Sequence, residues 1–146
     1  MDHTENIVSD FIASYQIMPQ GINQTQVLAE LQRHPISGKH LSMLKAASSF
    51  TDEQMADWLN LNVKTFRAYK QSAMAFKVNL QEHVLLLLKL FKHGAQVFGS
   101  SDAFDTWMRQ PNFALGQQAP VYYLHTISGI QWLDDHLIGM AYGDNA

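Results

Sequence analysis

"TDEQMADWLNLNVKTFRAYKQ", Thr51 to Gln71, is the stretch on which the reading of this 146-residue chain turns. Thr51 has a hydroxyl that can cap free backbone N–H groups, and Gln54 follows three residues later, the spacing of a capping box. The helix this predicts, "EQMADWL", is short. "NLN" breaks it, and Asn62 can cap a second helix, "VKTFRAYKQ". Ala56 is small enough to sit where two helices cross. Met55, Leu59, Leu61, Phe66 and Tyr69 have the spacing to lock such a pair together. Asn60 stands in the turn, where glycine is common; asparagine tolerates a left-handed backbone better than most residues. Period-two alternation is absent here and along the rest of the chain, so the expected class is all-α.

If Phe66 and Tyr69 face the core, the opposite face of the second helix presents Asn62, Lys64, Thr65, Arg67, Lys70 and Gln71. Arginine and glutamine can read guanine and adenine edges in the major groove, while lysine and threonine can hold phosphates. An ordinary solvated helix would look similar. The charge distribution favours the nucleic-acid reading: the whole chain carries −3, but residues 39–92 carry +4 between acidic ends.

Downstream, Asn79 and Glu82 have the spacing of an Asn-led capping box and predict a long helix from Leu80 to about Phe98, with Gly99 placed to end it. Its apolar run, "VLLLLKLF", is too short to span a bilayer. "AFDTWMRQ" follows as a short helix halted by Pro111. Pro120 suits the first turn of "VYYLHT". Thr126 or Ser128 then caps a last helix, "GIQWLDDHLIGMAY". Upstream, Ser37 starts "GKHLSMLKAA", "QTQVLAELQR" stops before Pro35, and "ENIVSDFIASYQ" makes a first helix. Three regions follow: N-terminal helices over 1–36, with Ile7, Phe11, Ile12 and Tyr15 as candidates for a dimer interface or for burial on the chain's own core; a helix-turn-helix region over 37–78; and a C-terminal helical domain with a tail over 79–146.

Nothing in the chain points to catalysis, a metal or a cofactor. There is no cysteine, which removes thiolate metal sites and disulfides and suits a reducing, cytoplasmic setting. The first residues lack a signal-peptide pattern. His83 and His93, ten positions apart on one helix, lie about 15 Å apart along its axis and share no metal. Asp134, Asp135 and His136 are neighbours in sequence, and adjacent helix residues do not face each other. No phosphate-binding glycine loop or nucleophile elbow occurs.

The segment from Leu80 to Gly143 resembles the toxin-binding domain of Xre/MbcA/ParS-type antitoxins. The matching features are "VLLLLKLFKHGAQVFG", "FDTWMRQPNFALG", "AP" and "LHTISGIQWLDDHLIGMAYG". Gln117 stands where the family usually has a second glycine. Gly139 and Met140 stand where it tends to have Arg-Ile, which removes a cation from the toxin contact. The resemblance implies an Xre-like helix-turn-helix upstream, binding of a RES-domain toxin that destroys NAD, occlusion of its active site by the antitoxin's tail, and binding of the operon's own promoter, usually as a dimer. Thr126, Gly129, Pro111, Asn112, Gly116 and Pro120 then read as fold punctuation. The toxin contacts fall to the last helix and tail: Trp132, His136, Met140, Tyr142, Gly143, Asp144, Asn145 and Ala146, with Leu133 and Leu137 on the same apolar helix. Asp144 and the terminal carboxylate can meet cations that hold NAD phosphates. The alternatives are a stand-alone transcription regulator whose C-terminal half binds a ligand or another partner, and a docking protein that needs no operator.

Overall fold

The computed structural model describes residues 20–143. The expected helix "ENIVSDFIASYQ", and with it Ile7, Phe11, Ile12 and Tyr15, lies outside the described residues. Those described form seven α-helices: α1 (Gln24–Arg33), α2 (Gly38–Ala46), α3 (Asp52–Trp58), α4 (Val63–Lys70), α5 (Val78–Phe98), α6 (Ser101–Met108) and α7 (Ile127–Ala141). Two 3-10 turns, Phe113–Leu115 and Pro120–Tyr123, lie between α6 and α7, and no strand occurs among the described residues. No described helix is long and apolar enough to cross a membrane.

Capping chemistry sets most of the boundaries. Asn23, Thr51, Asn62, Ser100 and Thr126 each accept a backbone N–H of the following first turn. At Thr51 the box closes, because Gln54 Oε1 accepts from Thr51 N at 2.9 Å. Gly99, at φ 86°, ends α5 in the left-handed conformation that glycine adopts without a Cβ clash.

The start of α5 corrects the expected Asn79–Glu82 box. The helix begins at Val78, two residues earlier, and its preceding residue Lys77 makes no side-chain cap. A tertiary contact takes the cap's place. Phe76 N donates to Ile36 O at 3.0 Å. Gln81 clamps the same junction, accepting from Ile36 N at 2.9 Å and donating to Phe76 O at 2.7 Å. The entry to α5 is therefore fixed by the segment before α2.

Helix α5 is the spine, packed against α1, α2, α6 and α7. Val84, Leu86, Leu87 and Leu90 on it are fully buried. An aromatic row crosses it: Phe50 and Trp58 have centroids 4.8 Å apart, and Phe91 stands 5.4 Å from Phe104. Burying one such side chain stabilises by roughly 1.5–3 kcal/mol, so this row joins the helix pair to the C-terminal helices through a substantial shared core.

Candidate partner-binding surface

The pair α3–α4 forms around the residues named for it. Met55, Ala56, Leu59 and Phe66 are buried, and Leu61 and Tyr69 pack at their edge. Asn60 holds the turn at φ 57°. Its amide donates to His125 O at 3.3 Å, and His125 Nε2 meets Asp57 Oδ2 at 2.7 Å. The turn thus carries a polar bond to the loop that leads into α7.

The six residues proposed for DNA differ in how they are held. Asn62 spends its side-chain oxygen on Lys64 N, at 2.8 Å. Lys64 and Gln71 are exposed, and Thr65 is half-buried. Arg67 reaches Glu53 at 2.7 Å and Asp52 at 3.2 Å; Lys70 reaches Asp52 at 3.0 Å, and Lys45 stands 3.4 Å from it. Burial alone would raise the Asp52 carboxyl, but hydrogen bonds from Lys70 and Arg67 and the charge of Lys45 outweigh it and hold the group below its ordinary range. Arg67 is pushed up by the same bond to Asp52, aided by Glu53. Asp52 is thus the largely buried hub of these pairs, while the Arg67–Glu53 pair faces solvent on both sides.

The C-terminal helices frame a different surface. Asp134, on α7, is buried. Its Oδ1 lies 2.6 Å from His93 Nδ1 on α5, and its Oδ2 accepts from Ile22 N at 2.9 Å. His83 Nε2 donates to Leu124 O at 2.9 Å, and burial pushes this imidazole below its ordinary value despite that bond. Gly129 sits where an added Cβ would lie 2.1 Å from Tyr123 O, so the 3-10 turn presses directly on the first turn of α7.

On this frame the aromatic rings step outward. Tyr122 meets Tyr123 edge-on at 5.4 Å, and Tyr123 meets Trp132 edge-on at 4.9 Å. Tyr123 OH donates to Leu115 O at 2.8 Å, which ties the row to the turn at 112–118. In that turn Gly116 (φ 69°) and Gln117 (φ 67°) are both left-handed. Phe113 is 86% exposed, Tyr122 61%, Tyr142 62% and Trp132 45%. Exposed aromatic side chains are enriched at interaction surfaces.

Of the residues expected to touch a toxin, Trp132, Tyr142 and Gly143 are at the surface. His136 and Met140 are half-buried. The His136 ring lies nearly parallel to Trp107 at 6.3 Å, and Met140 packs at the edge of the core. Leu133 and Leu137 are core residues. Asp144, Asn145 and Ala146 lie outside the described residues. Phe113 and Tyr122, which the sequence did not single out, are exposed as well. An aromatic flanked by Asn112 and by a left-handed turn is the signal that marks Phe113: no helix period there buries it.

The fold is thus an all-helical one, with a short helix pair fused through α5 to a C-terminal unit that exposes aromatic rings. Residues 93–143 match the family model of the antitoxin Xre/MbcA/ParS C-terminal toxin-binding domain. The match begins within α5, so the leucine-rich run upstream of His93 lies outside it. No curated protein matches the chain.

Proposed function

We propose that the chain is an antitoxin whose C-terminal unit binds and neutralises a RES-domain, NAD-degrading toxin, and whose α3–α4 pair binds its own operon promoter. The observation that carries this reading is the match over residues 93–143, which falls on the unit that exposes Trp132, Tyr122, Phe113 and Tyr142. Aromatic rings of this size give large contact area at small cost in side-chain entropy, as at interface hot spots. The tail from Tyr142 onward is the segment that occludes the toxin's active site, with Asp144 and the terminal carboxylate meeting phosphate-binding cations. Operator binding uses Lys64, Thr65, Arg67, Lys70 and Gln71 in a dimer, Arg67 and Lys70 exchanging Asp52 and Glu53 for phosphates or base edges.

The test is to express the adjacent RES-type gene product with and without this chain and to measure cellular NAD. NAD collapses when the toxin is alone and is held when this chain is present. Trp132→Ala weakens binding to the toxin by roughly 10-fold or more, the loss of a hot-spot side chain, while the chain stays folded. A neighbour that leaves NAD untouched, or a chain that fails to protect, refutes the reading.

A further inference from the structure

A groove of about 780 Å³ opens between α1, α2 and α5. Its floor is apolar: Ile36, Met43, Leu85, Leu88, Phe91 and Ala95. Met43 is 54% exposed, so this apolar floor reaches solvent. The rim is basic. Arg33, Lys89 and Lys92 line it. Lys89 pairs with Glu30 at 3.0 Å, while Arg33 and Lys92 meet no carboxylate among the described residues. His40, also on the groove, is pushed below its ordinary value by burial and by neighbouring Lys39. Its charge is therefore not what makes the rim positive.

The described chain begins beside this groove. Gln20, Gly21 and Ile22 line an adjoining hollow together with Lys89, Lys92 and Glu30, residues that the groove shares. Ile22 is pinned there by its bond to Asp134. What precedes it is a segment of matching chemistry. Residues 1–19 carry Asp2, Glu5 and Asp10 and neither lysine nor arginine. Ile7, Val8, Phe11, Ile12 and Tyr15 recur in the sequence at the spacing of one apolar helical stripe. Gln16 stands four positions before Gln20, a span of at most about 14 Å at the reach of an extended chain.

We infer that the groove between α1, α2 and α5 is the docking site of the same chain's own acidic, apolar segment, residues 5–18. The apolar stripe meets the groove floor, and the acidic residues meet Arg33, Lys89 and Lys92. A second copy of the chain presents the same chemistry, but the short tether raises the local concentration of the chain's own segment far above that of a partner. The docking site stands apart from the toxin and DNA readings and does not depend on them.

The absence of cysteine makes the test direct. A nitroxide on Ser9→Cys, off the apolar stripe, is placed in the full chain with nitrogen-15 on the same molecule. Strong paramagnetic broadening is expected at the amides of Met43, Leu88 and Ala95, and it persists when labelled chains are diluted with unlabelled ones. Lys92→Glu weakens the broadening, and adding Asp10→Lys restores it. Groove amides left sharp overturn the proposal. So does broadening that appears only when the nitroxide and the isotope sit on different chains, which assigns the groove to a second copy.

Discussion

Gly94→Ala is the most informative perturbation of the core, because two effects oppose each other and the structure says which wins. Gly94 lies inside α5, where alanine is favoured over glycine by about 1 kcal/mol. An added Cβ, however, would lie 2.4–2.5 Å from three carbons of the Phe104 ring. Carbon atoms in contact prefer about 3.5–4.0 Å, so the ring must retreat by roughly 1 Å. It has nowhere to go: Phe104 is fully buried, with Phe91, Phe98 and Trp107 centred 5.4–5.9 Å away. Overpacking of a tight core costs typically about 1–3 kcal/mol, and a displaced whole ring belongs at the upper end. The net expectation is a loss of about 1–2 kcal/mol, or roughly 3–8 °C in Tm. Urea unfolding followed by tryptophan fluorescence measures it. Phe104→Leu in the same background should recover about 1 kcal/mol relative to additivity, the signature of a contact pair. A Gly94→Ala chain as stable as the parent, or more so, refutes the argument.

Gln117→Gly should stabilise by about 0.5–1 kcal/mol in the same assay, since Gln117 sits at φ 67° and the left-handed strain it loses exceeds the entropy glycine costs. Stability should fall as pH drops through about 6.5, the ordinary histidine value: folded His83 resists protonation while the unfolded chain takes the proton, so acid favours the unfolded state. His83→Gln, which keeps a donor for Leu124 O, should flatten that slope in part, and His40 contributes with the same sign. Arg67→Ala should weaken operator binding by fluorescence anisotropy and leave the urea midpoint almost unchanged, since its ion pair with Glu53 faces solvent. An unchanged operator affinity removes Arg67 from the reading face.

Much of the helical layout could be read from capping residues, since Thr51, Asn62, Gly99 and Thr126 act through neighbours one turn away. The Asn79–Glu82 expectation failed for the opposite reason. What starts α5 is Ile36, forty or more residues earlier in the chain, meeting Phe76 and Gln81, and local spacing carries no trace of it. The same limit applies to Asp134 and His93. As sequence they are an acid beside another acid and one histidine among seven; only the fold brings them to 2.6 Å. For the surface, helical period separated Trp132 from Leu133 and Leu137 poorly, because α7 is covered on more than one side. Phe113 and Tyr122 escaped because irregular turns have no period by which to sort inside from outside.

The bond from Ile22 N to Asp134 joins residues 112 positions apart, and it sets an order in time. At about 5–20 residues per second, residue 22 leaves the peptidyl transferase centre several seconds before residue 134 is made. Until α7 arrives, the α5 face that it will cover stays bare, and the start of α1 lacks the carboxylate that anchors it. Synthesis of α7 thus delivers Trp132 and the Asp134 carboxylate that closes the core together. A chain interrupted before α7 keeps Phe113 and Tyr122 but lacks Trp132, Tyr142 and the carboxylate that anchors Ile22.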